Sequence, residues 1–246
     1  MQSQLPKVLH LLAGKPILAH VMGRLRGLGL SALGLVLGAD TAPFSTFLEE
    51  NKDIRVCIQS VPNGTGGAVA AAAGLFGCPS PSYASAEILR GGPFKHSFVL
   101  ICAGDVPGLD HATLQTFLAV CEQEKAPLAV LGMNVPDPRG YGRLILDQAG
   151  RLDRIVEEKD ATDAEKKITS CNSGVFFASV PFLFDALQGL TNSNQQGEYY
   201  LTDVVAIARQ KGIKPAVMIT SKWQQFSGIN TAAQLSAVEA FMQDQG

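Results

Sequence analysis

Short apolar runs alternate with amphipathic stretches along the first half of the chain. Residues 32–38 (ALGLVLG) and 97–104 (SFVLICAG) are continuous apolar runs of strand length, which is typical of strands buried on both faces. Residues 16–30 instead place apolar side chains at helical spacing, starting at a proline and ending near a glycine. This alternation predicts an α/β domain in which helices connect strands of a parallel sheet.

The same patterns assign most of the remaining chain. Further strands are predicted at 54–59, 128–135, 169–179 and 215–221, and a hairpin at 142–160. Helices are predicted at 44–51, from the turn NGTGG (63–67) to residue 73, and at 110–125, 161–167, 181–190, 202–210 and from 231 onward. Segment 78–95 is polar and contains Pro and Gly, so we expect a surface insertion rather than a lid.

Two polar features follow predicted strands. The glycine-rich turn 63–67 comes after one strand, and Asp105 comes after another. Ligands of open α/β sheets bind beyond the carboxyl ends of the strands. The pattern therefore predicts a binding site at this edge, with backbone N–H groups at the start of the helix after Gly64 left unpaired.

Composition narrows the function classes. The formal net charge is −2, so no broad basic surface is expected for nucleic acid or an anionic membrane. The longest apolar run is too short for a membrane span. The five cysteines form no C-x-x-C pair and the four histidines share no metal-ligand spacing, which favours a cytoplasmic protein with reduced thiols.

A series of short motifs then points to one family. The chain resembles the bacterial N-acetylglucosamine-1-phosphate uridyltransferases, the pyrophosphorylase domains of a bifunctional enzyme. The motifs occur in the family's order and are LPKVLHLLAGKP (5–16), GTGGAV (64–69), GDVP (104–107), GYGRL (140–144), IVEEKDAT (155–162), NSG (172–174), NQQGEYYLTD (194–203) and GIN (228–230).

The resemblance implies a fold and a reaction. The expected fold is a Rossmann-like α/β domain with a mixed, mostly parallel sheet flanked by helices and a small β-rich sugar-binding lobe. Residues 1–246 are expected to form one domain, with a nucleotide-binding half (1–135) and a sugar-binding half with the terminal helix (136–246). The expected reaction joins UTP and N-acetylglucosamine 1-phosphate into UDP-N-acetylglucosamine, a peptidoglycan precursor used in cell wall biogenesis, and releases pyrophosphate with Mg²⁺ as cofactor.

The resemblance assigns the phosphate and metal residues. Lys7 matches the family's phosphate-contacting lysine, and Asp105 matches its metal-binding aspartate, paired with Asn230. Transfer between two phosphates needs a divalent metal and a cation near the phosphates. From the residues alone, Asp105 could equally be a strand-ending cap and Lys7 a solvated surface lysine.

The uracil residues implied by the resemblance are Gln59, Gly64 and Thr65. A side-chain amide offers a donor and an acceptor side by side, as an imide edge requires. The alternative for NGTGG is a plain tight turn. Gly67 stands where the family usually has histidine, a position expected to pack, and Ala103 replaces a common tyrosine.

The sugar residues implied by the resemblance are Gly140, Glu157, Asn172, Tyr200 and Thr202. Carboxylate, amide and hydroxyl groups satisfy the donors and acceptors of a polyol. Alone, Glu157 would be read as a strand-edge charge, and Thr202 as the N-cap of the following helix. Tyr199 is expected to be a packing neighbour.

Two family features are absent from the sequence. The family's first strand and its glycine-rich phosphate loop precede LPKV, and a β-helix acetyltransferase domain follows the present end; neither is found here. We therefore expect a fragment, or a start at an internal methionine, with a gap in the sheet between apolar strands.

Two alternatives stay open: a nucleotidyltransferase for another sugar 1-phosphate, and a UDP-sugar-binding remnant without turnover. The oligomeric state is left open.

Overall fold

The computed structural model describes residues 5–90, 95–229 and 231–243. Its strands, in chain order, are β1 (Leu11–Leu12), β2 (Lys15–Pro16), β3 (Gly34–Gly38), β4 (Arg55–Gln59), β5 (Ala86–Arg90), β6 (Phe98–Ile101), β7 (Leu128–Asn134), β8 (Arg143–Leu146), β9 (Leu152–Val156), β10 (Ser170–Ser179) and β11 (Ala216–Thr220). Its α-helices are α1 (Ile17–Gly27), α2 (Ser45–Glu50), α3 (Thr65–Ala71), α4 (His111–Glu124), α5 (Val180–Gln188), α6 (Val204–Gln210) and α7 (Ala232–Gln243).

The local sequence explains where helices begin and end. Pro16 precedes α1, whose buried face is the predicted apolar stripe, including Val21 and Met22. The Asp110 carboxylate caps α4 by accepting from Thr113 N at 3.1 Å, and Lys125, with a φ of +48°, ends that helix. Among the described residues, no helix combines the length and apolarity of a membrane span.

Strand β10 is the centre of the larger sheet. The order in this sheet is β11-β7-β10-β8-β9, and β6 pairs with the second half of β10. β7 pairs with β11 in parallel and with β10 antiparallel. Because β10 spans ten residues, its first half joins the hairpin β8–β9 to the sheet that carries β6.

A smaller sheet has the order β3-β4-β5. β3 and β4 are parallel, whereas β5 runs antiparallel to β4. The predicted α/β class with a mixed sheet is confirmed, but parallel pairing is less extensive than predicted. The reason is that β5, β10 and the hairpin all insert antiparallel strands.

Segment 78–95 was incorrectly predicted to be a plain surface insertion. It contains β5, and the Arg90 guanidinium at its end donates to the carbonyl oxygens of Leu48, Asn51 and Ile54 at 2.7–2.8 Å. The strand was missed because its sequence, AEILR, is short and lies among Pro, Gly and Ser residues, and four of its five residues are exposed. The prediction of a helix over 161–167 is also only partly right, because the structure has a single 3₁₀ turn there, Glu165–Lys167.

A cavity of about 500 Å³ separates the two sheets. In the described part of the chain, β3 pairs only with β4 and β6 only with β10, so one edge of each strand lacks a partner strand. The cavity is lined mainly by apolar side chains, among them Val21, Met22, Val36, Leu37, Val69, Val99 and Leu100. The predicted gap between apolar strands is therefore present, and its lining loses the packing contacts of a filled core.

All five cysteines are free in the structure, and their reduced state stays a prediction. Burial raises the pKa of the Cys57 thiol to about 11 and that of the Cys102 and Cys121 thiols to about 12. These thiols therefore remain protonated near neutral pH and behave as small apolar side chains.

Candidate functional site

Lys7 and Asp105 meet at one end of the site. Asp105 lies in the turn after β6, and Lys7 begins the 3₁₀ helix Lys7–Leu9. Lys7 Nζ donates to Asp105 Oδ2 at 2.6 Å, and both side chains are partly exposed. The Asp105 carboxylate is thus held by a side chain 98 residues away, which a simple strand-ending cap would not require.

Residues 228–229 pack against Asp105. Ile229 N donates to Asp105 O at 3.3 Å. A side chain at Gly228 would begin 3.4 Å from Asp105 Oδ2, so glycine keeps this side of the carboxylate uncovered. Asn230, the second predicted metal ligand, lies outside the described residues, and its pairing with Asp105 stays a prediction.

The predicted base-binding residues lie together at the carboxyl end of β4. Gln59 is the last residue of that strand, and its Nε2 donates to Gly64 O at 3.3 Å and to Asn63 Oδ1 at 3.0 Å. Gly64 has a φ of +107°, which favours glycine, and precedes Thr65 at the start of α3. A Cβ at Gly64 would lie 2.6 Å from Tyr199 O, so close packing also requires glycine there.

Hydrogen bonds join this base turn (residues 63–67) to the loop before α6. Gly66 N donates to Tyr199 O at 2.7 Å, and Leu201 N donates to Thr65 Oγ1 at 3.0 Å. The expectation of unpaired N–H groups at the start of α3 is therefore wrong for Gly66. Tyr199 is a packing neighbour as predicted, because its ring stacks on Tyr83 with centroids 3.8 Å apart.

Glu157 and Thr202, two of the residues predicted to bind the sugar, form a pair. Thr202 Oγ1 donates to Glu157 Oε1 at 2.9 Å. Thr202 lies in the 3₁₀ helix Leu201–Asp203, and no side chain caps α6, so the alternative of Thr202 as an N-cap is wrong. Tyr200, one residue earlier, is only 7% exposed, and burial raises its pKa to about 12.

Asn172 lies at a β-bulge in β10. The register against β7 shifts between Asn172 and Val175, and Gly174 there has a φ of +81°. Gly174 N donates to Asn172 Oδ1 at 3.0 Å, and Asn172 N donates to Gly142 O at 2.8 Å. A Cβ at Gly142 would lie 3.2 Å from Glu157 Oε2, so the bulge and Glu157 flank the same glycine.

Gly140 lies in the loop between β7 and β8. Its φ of +84° favours glycine, and nothing lies within 4 Å of the position a Cβ would take. The backbone of Gly140 is therefore open to a ligand on that side. This agrees with a backbone contact at Gly140, whose role in sugar binding remains a prediction.

Arg143 is a functional neighbour that the sequence did not reveal. Its side chain is completely buried, and its guanidinium donates to Glu158 Oε2 at 2.6 Å, to Lys166 O at 3.2 Å and to Tyr141 O. These bonds tie β8 to the segment that carries Glu157. Within GYGRL an arginine looks like a solvated strand residue, so no sequence signal marks its burial.

Three acidic side chains, those of Glu157, Asp160 and Asp203, lie close together near Thr202. Burial, followed by the charges of Glu157 and Asp160, raises the pKa of Asp203 to about 6. Burial likewise raises the pKa of Glu157, although the hydrogen bond from Thr202 opposes the rise. This end of the site therefore disfavours additional negative charge and favours hydroxyl donors.

We expect Asp203→Asn to change the pH dependence of stability. A carboxyl whose pKa rises from 3.8 to about 6 on folding binds more protons in the folded state, so wild-type stability is lost as pH rises through that window. The variant should lack this loss, so its free energy of unfolding relative to wild type should increase from pH 4 to pH 6 and then level off. Urea denaturation at several pH values measures it.

Asp185→Asn is the control for that experiment. Asp185 lies on α5, its side chain is 65% exposed, and it pairs with Lys211 at the surface. Its replacement should give a nearly constant difference from wild type between pH 4 and 6. A pH-independent difference for Asp203→Asn would contradict the raised pKa.

Comparison with known proteins identifies the family. The family model described as "MobA-like NTP transferase domain" matches residues 1–168. The chain is 37% identical over 245 residues to the bifunctional protein GlmU of Chromohalobacter salexigens, covering 99% of this chain and 49% of that protein. It is 38% identical over 246 residues to GlmU of Roseobacter denitrificans, covering 99% and 50%.

The chain thus spans about half the length of the curated relatives it matches. Among solved structures, the crystal structure of HddC from Yersinia pseudotuberculosis matches with a TM-score of 0.59 and 18% identity, over 89% of this chain and 83% of that one. That likeness supports the fold alone. Because the family model matches more than half of its residues, the chain belongs to the MobA-like NTP transferase domain family.

Proposed function

We propose that this chain transfers a uridylyl group from UTP to N-acetylglucosamine 1-phosphate, forming UDP-N-acetylglucosamine and pyrophosphate. One observation carries the proposal. Hydrogen bonds join Gln59 to the base turn (residues 63–67), the base turn to the segment before α6 through Leu201, and Thr202 in that segment to Glu157. Such an arrangement suits a ligand with a base at one end and a sugar at the other. The likeness to GlmU supports the choice of ligand.

Lys7 and Asp105 would serve the phosphates. The sugar phosphate oxygen attacks the α-phosphorus of UTP, and pyrophosphate leaves with the electron pair of the broken bond. Lys7 would leave Asp105 and contact a phosphate oxygen, since a compact ammonium suits a shifting phosphate charge. The ion pair holds the two side chains together before substrate arrives.

The site fits a divalent cation at Asp105. Its carboxylate is partly exposed beside Gly228, and Mg²⁺ binds through one or two carboxylates while keeping several waters. We propose that Asp105 and Asn230 hold Mg²⁺. When bound, the metal would neutralise charge on the phosphate oxygens.

The remaining predicted residues would select the sugar. Glu157 and Thr202 already exchange a hydrogen bond, so each can turn part of its capacity to a sugar hydroxyl. Asn172, Tyr200 and the backbone of Gly140 would complete the contacts. We propose the nucleotide half at 1–135 and the sugar half at 136–246, with the reaction taking place in the cytoplasm.

A pyrophosphate-release assay tests the proposal. Purified protein is incubated with MgCl₂ and UTP, and with either N-acetylglucosamine 1-phosphate or glucose 1-phosphate. We expect release with the N-acetyl sugar and at least about tenfold less with glucose 1-phosphate, because a site built for an amide loses its hydrogen bonds to the simpler sugar. Equal release with both sugars would contradict the sugar assignment.

A second candidate function is binding of UDP-N-acetylglucosamine without turnover. The Lys7–Asp105 ion pair favours it, because that pair engages both side chains that the transfer requires. Calorimetric titration of UDP-N-acetylglucosamine on the same sample separates the two. Binding without pyrophosphate release supports the second candidate, and binding with release excludes it.

A further inference from the structure

Gly67 provides space that the Asn63 side chain fills. A Cβ at Gly67 would lie 1.7 Å from Asn63 Oδ1 and 3.0 Å from Gln59 Nε2. Any side chain at Gly67 must therefore displace the Asn63 amide. The choice of glycine at 67 and asparagine at 63 is thus one coupled feature, located directly beside the side chain predicted to bind the base.

Two backbone carbonyls determine which way both amides point. Asn63 Nδ2 donates to Tyr83 O at 2.9 Å, and a carbonyl oxygen can only accept. The oxygen of the Asn63 amide therefore faces Gln59. Gln59 Nε2 donates to that oxygen at 3.0 Å and to Gly64 O at 3.3 Å, so both of its hydrogens are engaged.

The backbone around Asn63 is anchored at both ends of this network. Asn63 O accepts from Tyr199 N at 2.8 Å. Tyr83 stacks on Tyr199, and its hydroxyl donates to Leu187 O at 2.6 Å. Because Tyr83 is held in this way, its carbonyl is a fixed acceptor for Asn63.

These hydrogen bonds fix the orientation of the Gln59 side-chain amide. With both Nε2 hydrogens engaged, its Oε1 is the group left to meet a base. Uracil carries an N–H at ring position 3, which donates to such an oxygen. Cytosine carries a lone pair at that position, which the oxygen repels, and an unpaired polar contact in a recognition site is costly.

We propose that Asn63, seated over Gly67, is a positioning residue that fixes the Gln59 amide with its oxygen toward the base, and so makes this site select a base with an imide N–H over cytosine. The inference rests on the proposed base-binding role of Gln59. It assigns specificity to a side chain that does not itself contact the nucleotide.

Binding of UDP and CDP to purified variants tests the proposal. For wild type we expect UDP to bind at least about tenfold more tightly than CDP, by calorimetry. Asn63→Ala removes the shorter of the two hydrogen bonds that hold Gln59 Nε2, and Gly64 O alone then opposes rotation of the NH₂ toward cytosine. The preference should therefore fall by about tenfold, mainly through tighter CDP binding. Asn63→Asp keeps an acceptor facing Gln59, so it should retain the preference although it loses the bond to Tyr83 O.

Gly67→Ala gives an independent route to the same state. Alanine is compatible with helix α3, so the fold should survive, while its methyl group displaces Asn63. The Gly67→Ala variant should therefore lose the preference as Asn63→Ala does, and the double variant should resemble either single variant. Additive losses would overturn the coupling.

Further outcomes of the UDP and CDP binding experiments would overturn the inference or separate it from the proposed function. A wild-type chain that binds UDP and CDP alike, or an Asn63→Ala variant that keeps the wild-type preference, overturns the inference. Loss of the preference in Asn63→Asp, equal to that in Asn63→Ala, also overturns it, because the acceptor would then be irrelevant. A preference that responds as expected without any pyrophosphate release would leave the inference standing while the proposed transfer reaction fails.

Discussion

Asp105→Ala is expected to lower turnover by about a thousandfold while binding of UDP-N-acetylglucosamine is largely retained. The reason is that Asp105 is the carboxylate paired with Lys7, whereas the residues proposed to bind the base and the sugar form their hydrogen bonds elsewhere. Charge develops on the phosphate oxygens in the transition state, so loss of the proposed metal ligand should affect kcat more than KM. Pyrophosphate release and calorimetry on the same variant measure both quantities.

Two further variants, Asp185→Ala and Lys7→Ala, test whether the loss of turnover is specific to the Lys7–Asp105 pair. Asp185→Ala removes an exposed carboxylate on α5 and should leave turnover unchanged. Lys7→Ala removes the other half of the ion pair, and should also lower kcat sharply if the lysine contacts a phosphate. Wild-type turnover in Asp105→Ala would remove the metal assignment, and parallel loss of sugar-nucleotide binding would indicate a structural role instead.

Glu158→Ala is expected to lower the free energy of unfolding by about 3 kcal/mol, because it leaves the Arg143 guanidinium buried without its carboxylate partner. Arg143 is completely inaccessible, and Glu158 is its ion-pair partner at 2.6 Å. The same change should raise KM for the sugar 1-phosphate, since Glu157 precedes Glu158 and shares its backbone. Urea denaturation and a substrate titration measure the two effects.

The matched control is Arg139→Ala. Arg139 pairs with Asp137 in the neighbouring loop, but its side chain is 83% exposed, so its loss should leave the free energy of unfolding nearly unchanged. The double variant Arg143→Met with Glu158→Ala should be more stable than Glu158→Ala alone, because no unpaired charge remains buried. A double variant as unstable as the sum of its parts would contradict this explanation.

The fold was largely predictable where one side of an element is buried. The run at 128–135 became strand β7, which is buried over all but its last residue, because such burial leaves a continuous apolar signature. The run at 32–38 became strand β3, but only Leu37 in it is buried, because β3 borders the cavity. The exposed strand β5 left no such signature. Its pairing with β4 depends on backbone hydrogen bonds and on Arg90, which binds three carbonyl oxygens from another part of the chain.

Some features of the candidate site could likewise be predicted from the sequence, and others could not. The motifs name Lys7, Asp105, Gln59, Glu157 and Thr202, and the structure pairs Lys7 with Asp105, Gln59 with Gly64, and Thr202 with Glu157. Their roles in binding stay predictions. Arg143 lies inside one of those motifs and Asn63 directly before another, yet their contacts depend on what faces them in space. Neither the buried pair with Glu158 nor the contact with Gly67 can be inferred from neighbouring residues in the sequence.

The sequence by itself determined the α/β class, the order of most elements and the family motifs, because apolar periodicity and short chemical strings are local properties. The tertiary structure decided the antiparallel insertion of β10, the cavity between β3 and β6, and the direction of the Gln59 amide. These features arise from contacts between residues distant in the chain. A hydrogen-bond network acquires its polarity only when a fixed carbonyl, here that of Tyr83, meets a side chain twenty residues away.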